Sequence, residues 1–246
     1  MAEKIDVVYK LGPKSDYEDF WELRFSIRSV IQHFKDIRNI IIVGVKPRWW
    51  LGKFITVDDI YTDNKKDVNL INKLIIACIE DGVSERFINM SDDIILMNDL
   101  TTQDLEIPYQ IEPKQKKNNM LWYIRYLDTT AALKNKGLSS TCFEGHCPYL
   151  LNSKLYPHIM FKHRYTECNG MLGNTLYYNT LGITGHSKSN WVYKVNQGDT
   201  VDYSKLNQFK CLNLNARIKD IKMVDFLEKK FPVKHNKELS YTNHIV

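Results

Sequence analysis

The feature that most constrains the fold is an uninterrupted apolar run, Ile40-Ile41-Ile42-Val43-Gly44-Val45. A strand with one face in water alternates apolar and polar residues. This run has no polar interruption, so both of its faces must be covered. Strands of this kind are typical of parallel sheets with helices packed on both sides. The run is far shorter than the roughly 18 residues of a membrane helix, and it therefore predicts a buried central strand over Asn39–Gly44.

Strand-like and helix-like segments alternate through the first half of the chain. Further strands are predicted at Ile5–Tyr9, Phe54–Val57, Arg86–Met90 and Ile94–Met97. Apolar residues at three- and four-residue spacing predict helices from Phe20 to Phe34 and from Leu70 to Ile79. This order indicates an α/β fold with an open, mostly parallel sheet flanked by helices. The second half is more irregular, with helices expected at about 120–136 and 218–230.

The composition is that of a folded globular chain. Of the 246 residues, 43% are hydrophobic and 12% aromatic, whereas only 11 are Gly and 7 are Pro, which excludes disorder as the main state. No Pro/Gly/Ser-rich linker interrupts the chain, so one domain over 1–246 is expected. The N-terminus leads directly into a strand, without a signal peptide, and the 5 cysteines have no paired spacing. We therefore expect a cytoplasmic protein without a membrane anchor.

The adjacent acids Asp92 and Asp93 are the sharpest chemical feature. They follow the predicted strand Arg86–Met90, where two carboxylates are costly unless something compensates their charge. Mg²⁺ or Mn²⁺ takes carboxylate oxygens and leaves coordination sites for phosphate oxygens, so the pair suits an enzyme that holds a diphosphate. The alternative is a helix N-cap with an acid in the first turn. The pair Asp58-Asp59 is a weaker competitor.

Ligands of open α/β sheets bind at the carboxyl ends of the strands. That rule places three segments on one rim: Leu11–Ser15, Gly44–Trp49 and Ser91–Asp93. Two arginines one helical turn apart, Arg24 and Arg28, suit the oxygens of a donor phosphate. The same spacing also allows surface ion pairs with Glu18, Asp19 or Glu22.

A second group of polar residues lies before and inside the helix Leu70–Ile79. Lys66, Asn69 and Lys73 are candidates to bind the diphosphate or ribose of a nucleotide, although they also fit an ordinary solvated helix face. No GxxxxGK[ST] or GxGxxG motif occurs, which disfavours a P-loop kinase or a dinucleotide enzyme.

Several short blocks, in order along most of the chain, resemble the GT-A nucleotide-sugar glycosyltransferases of tailed bacteriophages. Those DNA-modifying enzymes are related to the Stealth-type sugar-phosphate transferases. The blocks are Asp6-Val7-Val8-Tyr9, Glu22-Leu23-Arg24-Phe25-Ser26-Ile27-Arg28-Ser29, Ile41-Ile42-Val43-Gly44 with Pro47-Arg48-Trp49, Phe87-Ile88-Asn89-Met90-Ser91-Asp92-Asp93, Glu144-Gly145-His146-Cys147-Pro148, Tyr178-Asn179 and Phe231-Pro232.

The resemblance implies a GT-A fold, a nucleotide-sugar donor, expected to be a UDP-sugar, and a divalent Mn²⁺ or Mg²⁺. Asp92 and Asp93 stand where the family carries its metal-binding carboxylates, here as Ser-Asp-Asp and not Asp-x-Asp. Asp93 would act in catalysis by bridging to the donor diphosphate through the metal. The loop with Gly12 and Ser15 would border the nucleotide base and ribose. The donor-binding half would cover about 1–105, and the acceptor side about 106–246.

The block around His146 resembles the family's His-x-Pro element. His146 would be a further metal ligand or an acceptor-side group together with Glu144. An inverting transferase needs a base that deprotonates the acceptor hydroxyl, and Glu144 is favoured for it over Asp128 and Glu167. A retaining transferase does not need the same carboxylate arrangement, and the sequence fits either class. A packed, hydrogen-bonded histidine is the ordinary alternative. A zinc site with the nearby cysteines, Cys142 and Cys147, lacks a fourth ligand and standard spacing.

The phage relatives imply a hydroxymethylated pyrimidine of double-stranded DNA, such as 5-hydroxymethylcytosine, as the acceptor. The formal net charge of +5 and the plentiful aromatic residues agree with DNA binding and with stacking on a flipped base. The basic residues expected to contact DNA are Lys114, Lys116, Lys117 and Arg125. A glycan acceptor is the alternative. A non-catalytic nucleic-acid-binding protein is a further alternative, but it would leave the Asp-Asp pair unexplained.

Overall fold

The computed structural model describes residues 3–13, 20–61, 65–80, 82–115, 120–196, 198–215 and 221–239. Its strands are β1 (Ile5–Leu11), β2 (Ile37–Gly44), β3 (Lys53–Thr56), β4 (Arg86–Met90), β5 (Ile94–Leu96), β6 (Tyr149–Asn152), β7 (Val192–Asn196) and β8 (Cys211–Asn215). Its α-helices are α1 (Trp21–His33), α2 (Lys66–Ile79), α3 (Met120–Lys134), α4 (Leu155–Lys162), α5 (Gly173–Thr180) and α6 (Ile221–Lys230).

The central sheet is mixed but mostly parallel, as the sequence predicts. Within the described residues it has five strands in the order β3-β2-β1-β4-β6. β1 runs parallel to β2 and β4, and β3 runs parallel to β2, whereas β6 is antiparallel to β4. The run Ile40–Val43 is buried in β2. Because the first four strands are parallel, their carboxyl ends lie at one edge of the sheet.

Gly44 lies at that edge, as the last residue of β2. Its φ is +111°, and a Cβ at this position would come within 2.1 Å of the carbonyl oxygen of Leu11. Only glycine accommodates both this backbone conformation and this close approach. The end of β2 can therefore pack directly against the end of β1, which leads into the predicted rim.

A second, smaller sheet distinguishes the structure from the pattern read in the sequence. Among the described strands it has the order β5-β8-β7, with β5 antiparallel and β7 parallel to β8. β5 was predicted as a strand, but it pairs with β8 and not with the central sheet. The turn at Ser91–Asp93 therefore connects the two sheets, and the backbone N–H of Leu214 donates to the carbonyl of Asp93 at 2.9 Å.

The helices pack through the apolar faces that their spacing predicts. In α1, Leu23, Ile27 and Val30 are buried, and the hydroxyl of Ser29 accepts a hydrogen bond from the backbone N–H of Leu96 in β5 at 2.9 Å. In the part of the chain that the structure describes, no helix combines the length and the apolar character that crossing a membrane requires.

Candidate functional site

A cavity of about 830 Å³ opens at the carboxyl edge of the central sheet, within the volume range of small-molecule sites. Its walls come from the ends of β1 and β4, from α2 and α3, from the loop before β6, from the beginning of α5, and from β7. Polar and charged side chains from separate segments converge there: Lys10, Lys66, Asp67, Asn89, Glu112, Lys114, Arg125, Glu144, His146, Asn174, Lys194 and Asn196.

The turn that carries Asp92 and Asp93 borders this cavity through its neighbours Ser91 and Ile94. Asp93 is part-buried, and its Oδ2 accepts a hydrogen bond from the side-chain amide of Asn213 in β8 at 2.9 Å. Burial and the adjacent charge of Asp92 raise the pKa of Asp93 to about 6, against the opposing hydrogen bond from Asn213. A cation beside Asp93 would favour the ionised form of its carboxyl group.

The oxygen donors at this turn fit a hard divalent cation. Asp92 and Asp93 would supply carboxylate oxygens, and the Oδ1 of Asn213 is buried beside Asp93 without a hydrogen-bond partner among the described residues. No group of three His, Cys, Asp or Glu side chains comes together as a ligand set within the described ranges. Mg²⁺ is commonly held by one or two carboxylates and completes its octahedron with water and substrate phosphates.

A chain of hydrogen bonds crosses the cavity floor from Lys10 to Glu144. The Nζ of Lys10 donates to the Oδ1 of Asn89 at 2.6 Å. The amide of Asn89 donates to the Oδ1 of Asn174 at 3.0 Å, and the amide of Asn174 donates to the Oε2 of Glu144 at 3.2 Å. Lysine only donates and a carboxylate only accepts, so the two ends fix the orientation of both amides between them.

The side chain of Glu144, which precedes β6 in the chain, lies against the N-terminus of α5. Its Oε1 accepts hydrogen bonds from the backbone N–H of Thr175 at 3.1 Å and from the hydroxyl of Thr175 at 3.3 Å. Burial raises the pKa of Glu144 to about 7; the negative charge of Asp67 adds to the rise, and the hydrogen bonds of Thr175 and the charge of Lys10 oppose it. A carboxylate that changes protonation near neutral pH is suited to general base catalysis.

His146 is an exposed side chain on the cavity wall, two residues after Glu144. Its φ of +52° lies in the left-handed region, which residues other than glycine seldom adopt. Burial and the charge of Lys194 lower the pKa of His146 to about 4, so its imidazole has packed surroundings as well as an exposed edge. The zinc alternative has no support, because His146 does not join the buried thiols of Cys142 and Cys147 in a ligand cluster among the described residues.

The residues expected to hold the nucleotide lie in different environments. Gly12 lies beside Asp59, with 3.7 Å between a Cβ at Gly12 and the Oδ2 of Asp59, and the ammonium of the buried Lys73 pairs with the same carboxylate. Asn69 binds the backbone of Ile60 and Tyr61, so its amide fixes the loop before α2. Lys66 is exposed and lines the cavity. Ser15 lies outside the described residues.

Arg24 and Arg28 are buried in α1 and do not line the cavity. Both bind Glu238, near the end of the described chain: Arg24 Nη1 lies 3.0 Å from Oε1, and Arg28 Nε lies 3.0 Å from Oε2. Burial alone would raise the pKa of Glu238, but the hydrogen bonds and charges of the two arginines hold it below the usual value. These side chains therefore fasten the C-terminal segment to α1, a role that the local spacing did not reveal.

Replacing Glu238 with glutamine should lower the free energy of unfolding by about 3 kcal/mol, because it removes the buried carboxylate charge that both guanidinium groups bind. Chemical denaturation of the purified variant measures the loss. Glu228→Gln, at an exposed position of α6, is the matched control and should change stability by less than about 0.5 kcal/mol. Equal stability of the two variants would contradict a structural role for this ion-pair group.

The basic residues expected to contact DNA occupy different environments. Lys114 is exposed at the cavity. Arg125 is buried, with its guanidinium paired to Asp67 and donating to the carbonyl of Asn169 at 3.0 Å. It forms part of the cavity wall and is not an exposed surface group. Lys116 and Lys117 lie outside the described residues.

The sequence reading missed Lys10, Asn89, Asn174 and Asn213. Lys10 is a charged residue near the carboxyl end of a mostly apolar strand, which is a sequence signal for a ligand-binding position at the edge of the sheet. The three asparagines carry no comparable signal, because their partners come from distant segments.

Neither a protein-family model nor a curated protein sequence matches the chain. Solved structures do. The galactosyltransferase LgtC, in complex with donor and acceptor sugar analogues, matches with a TM-score of 0.54 at 11% identity, over 94% of this chain and 98% of that one. An active-site mutant of LgtC gives 0.53 at 10% identity over the same shares. The bifunctional glycosyltransferase WbbM gives 0.51 at 9% identity, over 95% of this chain and 50% of WbbM. The fold is that of GT-A glycosyltransferases.

Proposed function

We propose that this chain is a glycosyltransferase that moves a sugar from a nucleotide-sugar, with a UDP-sugar as the expected donor, to a hydroxyl group of an acceptor. The observation that carries the proposal is the convergence, on a GT-A fold, of the Asp92-Asp93 turn, Lys10 and Glu144 around one cavity at the carboxyl edge of the sheet. The donor-binding half would cover about 1–105 and the acceptor side about 106–246.

On this proposal, Asp92 and Asp93 would hold Mn²⁺ or Mg²⁺ beside the strand ends. When bound, the cation would supply positive charge for the departing diphosphate. Gly12, after β1, and Asp59, after β3, would border the nucleoside, and the exposed Lys66 of α2 adds a positive charge to the cavity wall. Gly12, Asp59 and the Asp92-Asp93 turn all follow strand ends at the same edge of the sheet.

Glu144 is proposed as the base that takes the proton from the acceptor hydroxyl. Burial raises its pKa to about 7, so the carboxylate can take up a proton near neutral pH. The hydrogen bonds from Thr175 and Asn174 hold the carboxylate in place. The exposed imidazole of His146, on the same loop, is proposed to contact the acceptor or the donor phosphates.

Two acceptor classes are proposed. A hydroxymethylated pyrimidine of double-stranded DNA is the acceptor that the resemblance implies, and the exposed Lys114 at the cavity supports it. A carbohydrate is the second candidate. Arg125 forms an ion pair with Asp67 in the cavity wall. Trp122 lines the cavity and stacks on Tyr126, with ring centroids 6.1 Å apart. An aromatic platform of that kind suits a sugar ring as well as a base.

Thermal unfolding with nucleotides tests the donor side. UDP with Mn²⁺ should raise the melting temperature of the wild-type protein, because a ligand that binds only the folded state stabilises it. UDP with EDTA should give a smaller shift, and ADP with Mn²⁺ should serve as the matched nucleotide control. If no nucleoside diphosphate shifts the transition, the transferase proposal fails.

The acceptor is identified by incubating the protein with a panel of UDP-sugars and two acceptors, hydroxymethylated duplex DNA and an oligosaccharide mixture. Mass spectrometry of the nucleosides and of the glycans reports where the sugar is added. Added sugar on the DNA, with transfer that weakens steeply as salt increases, would establish the first class. Transfer to the glycans alone would establish the second.

A further inference from the structure

Lys10 is a lysine among carboxylates that nevertheless pairs with none of them. Its Nζ contacts neutral oxygens: the Oδ1 of Asn89 at 2.6 Å, the carbonyl of Met90 at 3.4 Å and the hydroxyl of Ser91 at 3.4 Å. Within the described ranges, no ion pair joins it to Asp or Glu. Neutral hydrogen-bond acceptors therefore hold the ammonium in place, and its positive charge is still available to an anionic ligand.

The position of this ammonium matters. Lys10 lies near the carboxyl end of β1, lines the cavity, and reaches across to Ser91, the residue before the Asp92-Asp93 turn. Burial lowers the pKa of Lys10 to about 8, although the charges of Glu144, Asp93 and Asp92 favour its protonated form. A part-buried cation of this kind carries a desolvation cost that an anion in the cavity would offset.

Asn89 keeps the ammonium in this place. Its Oδ1 accepts from Lys10, and its amide is in turn directed by Asn174, whose own amide is fixed by Glu144. Because the direction of every bond in the chain is determined, Asn89 cannot rotate to offer Lys10 its NH₂ group without losing two hydrogen bonds. One ammonium proton is thereby committed to Asn89, and the two longer contacts, to Met90 and Ser91, are the ones that an anion in the cavity would replace.

We propose that Lys10 binds a phosphate oxygen of the donor diphosphate, and that Asn89 is a positioning residue that holds the Lys10 ammonium for this contact. The inference rests on the proposed function, since it assigns a second phosphate-binding group to the same site. Lys10 would supply a fixed protein charge from β1, 3.4 Å from the hydroxyl of Ser91, which precedes the acidic turn. It would therefore act on the diphosphate whether or not a cation is bound.

The test compares how UDP and uridine bind to four proteins: wild type, Lys10→Met, Asn89→Asp and the control Lys4→Met. Lys4 is exposed and directly precedes the opposite end of β1, so its substitution removes the same charge far from the cavity. Isothermal titration gives the UDP affinities, and NMR titration gives the weaker uridine affinities. Both are measured with Mn²⁺ and again with EDTA.

Lys10→Met should weaken UDP binding by about 10- to 100-fold, the range expected for the loss of one charge-assisted hydrogen bond, and should leave uridine binding unchanged. Asn89→Asp retains the lysine but gives it a carboxylate partner, so it should also weaken UDP binding at least about tenfold. The effect of Lys10→Met should persist in EDTA. Lys4→Met should bind both ligands like the wild type.

The outcomes separate the two proposals. If wild-type protein binds no UDP, the proposed donor is wrong and the assignment of Lys10 falls with it. If wild-type protein binds UDP and both cavity variants bind it equally well, only the assignment of Lys10 is overturned. Melting temperatures show whether each variant is folded; should Lys10→Met fail to fold, the nearly isosteric Asn89→Asp decides the question alone. Equal weakening of UDP and uridine would also overturn the assignment, because it would indicate a general distortion of the cavity.

Discussion

Asp93→Asn is expected to abolish sugar transfer while leaving the protein folded. The substitution removes a charge and almost no volume, and the asparagine oxygen can still accept the hydrogen bond from Asn213. Without the carboxylate, the turn loses half of its charge for a divalent cation, and the transfer rate should fall about a thousandfold or more. The measurement is the initial rate of sugar transfer at saturating Mn²⁺, with the melting temperature recorded in parallel.

Asp225→Asn is the matched control for that experiment, because Asp225 is exposed on α6 and its substitution makes the same chemical change. It should retain wild-type activity. Since burial and Asp92 raise the pKa of Asp93 to about 6, Asp93→Asn should also relieve a repulsion in the cation-free protein, which predicts equal or slightly higher thermal stability. Full activity of Asp93→Asn, or undiminished turnover in excess EDTA, would rule out the metal role.

Glu144→Gln is the second change with a large expected effect. As a general base, Glu144 should contribute about 10²- to 10⁴-fold to the rate, and glutamine cannot accept the acceptor's proton. Because the pKa of Glu144 is about 7, the wild-type rate should rise with pH through neutrality and level off above pH 8. The residual rate of Glu144→Gln should lack this rise.

The comparison variant is Glu167→Gln, which tests a base candidate left open by the sequence. Glu167 is exposed and pairs with Arg164 at 3.2 Å, so its substitution should leave both the rate and the pH profile unchanged.

The raised pKa of Glu144 also has a consequence for stability. Between its ordinary value of 4.5 and about 7 the folded protein holds the proton more tightly than the unfolded chain, so this group's contribution to stability declines as pH rises through that window.

A wild-type pH profile that persists in Glu144→Gln would assign the titration to another group and remove Glu144 from the mechanism. A large loss of thermal stability would indicate that its main role is to accept the hydrogen bonds of Thr175 at the start of α5. The rate and the melting temperature are therefore measured on the same preparations.

The sequence by itself was sufficient for the four parallel strands of the central sheet, but not for its antiparallel strand β6. Ile5–Tyr9, Asn39–Gly44 and Arg86–Met90 were predicted as strands and lie in β1, β2 and β4. An apolar run buried on both faces is a local property of the chain, and so is the place where the run gives way to Ser91-Asp92-Asp93. The parallel order then follows from the intervening helices, which fixes which strand ends meet.

The tertiary structure alone decided which polar groups meet and which are already paired. Asn89 meets Lys10 across 79 positions of sequence and Asn174 across 85, and Glu238 reaches Arg24 across 214. β5 pairs with β8 and not with a strand of the central sheet. Local periodicity reports only the face on which a side chain lies. Hydrogen bonds and ion pairs between distant segments depend on the packing of whole elements, so only the folded chain shows that Arg24 and Arg28 are occupied while Lys10 faces the cavity.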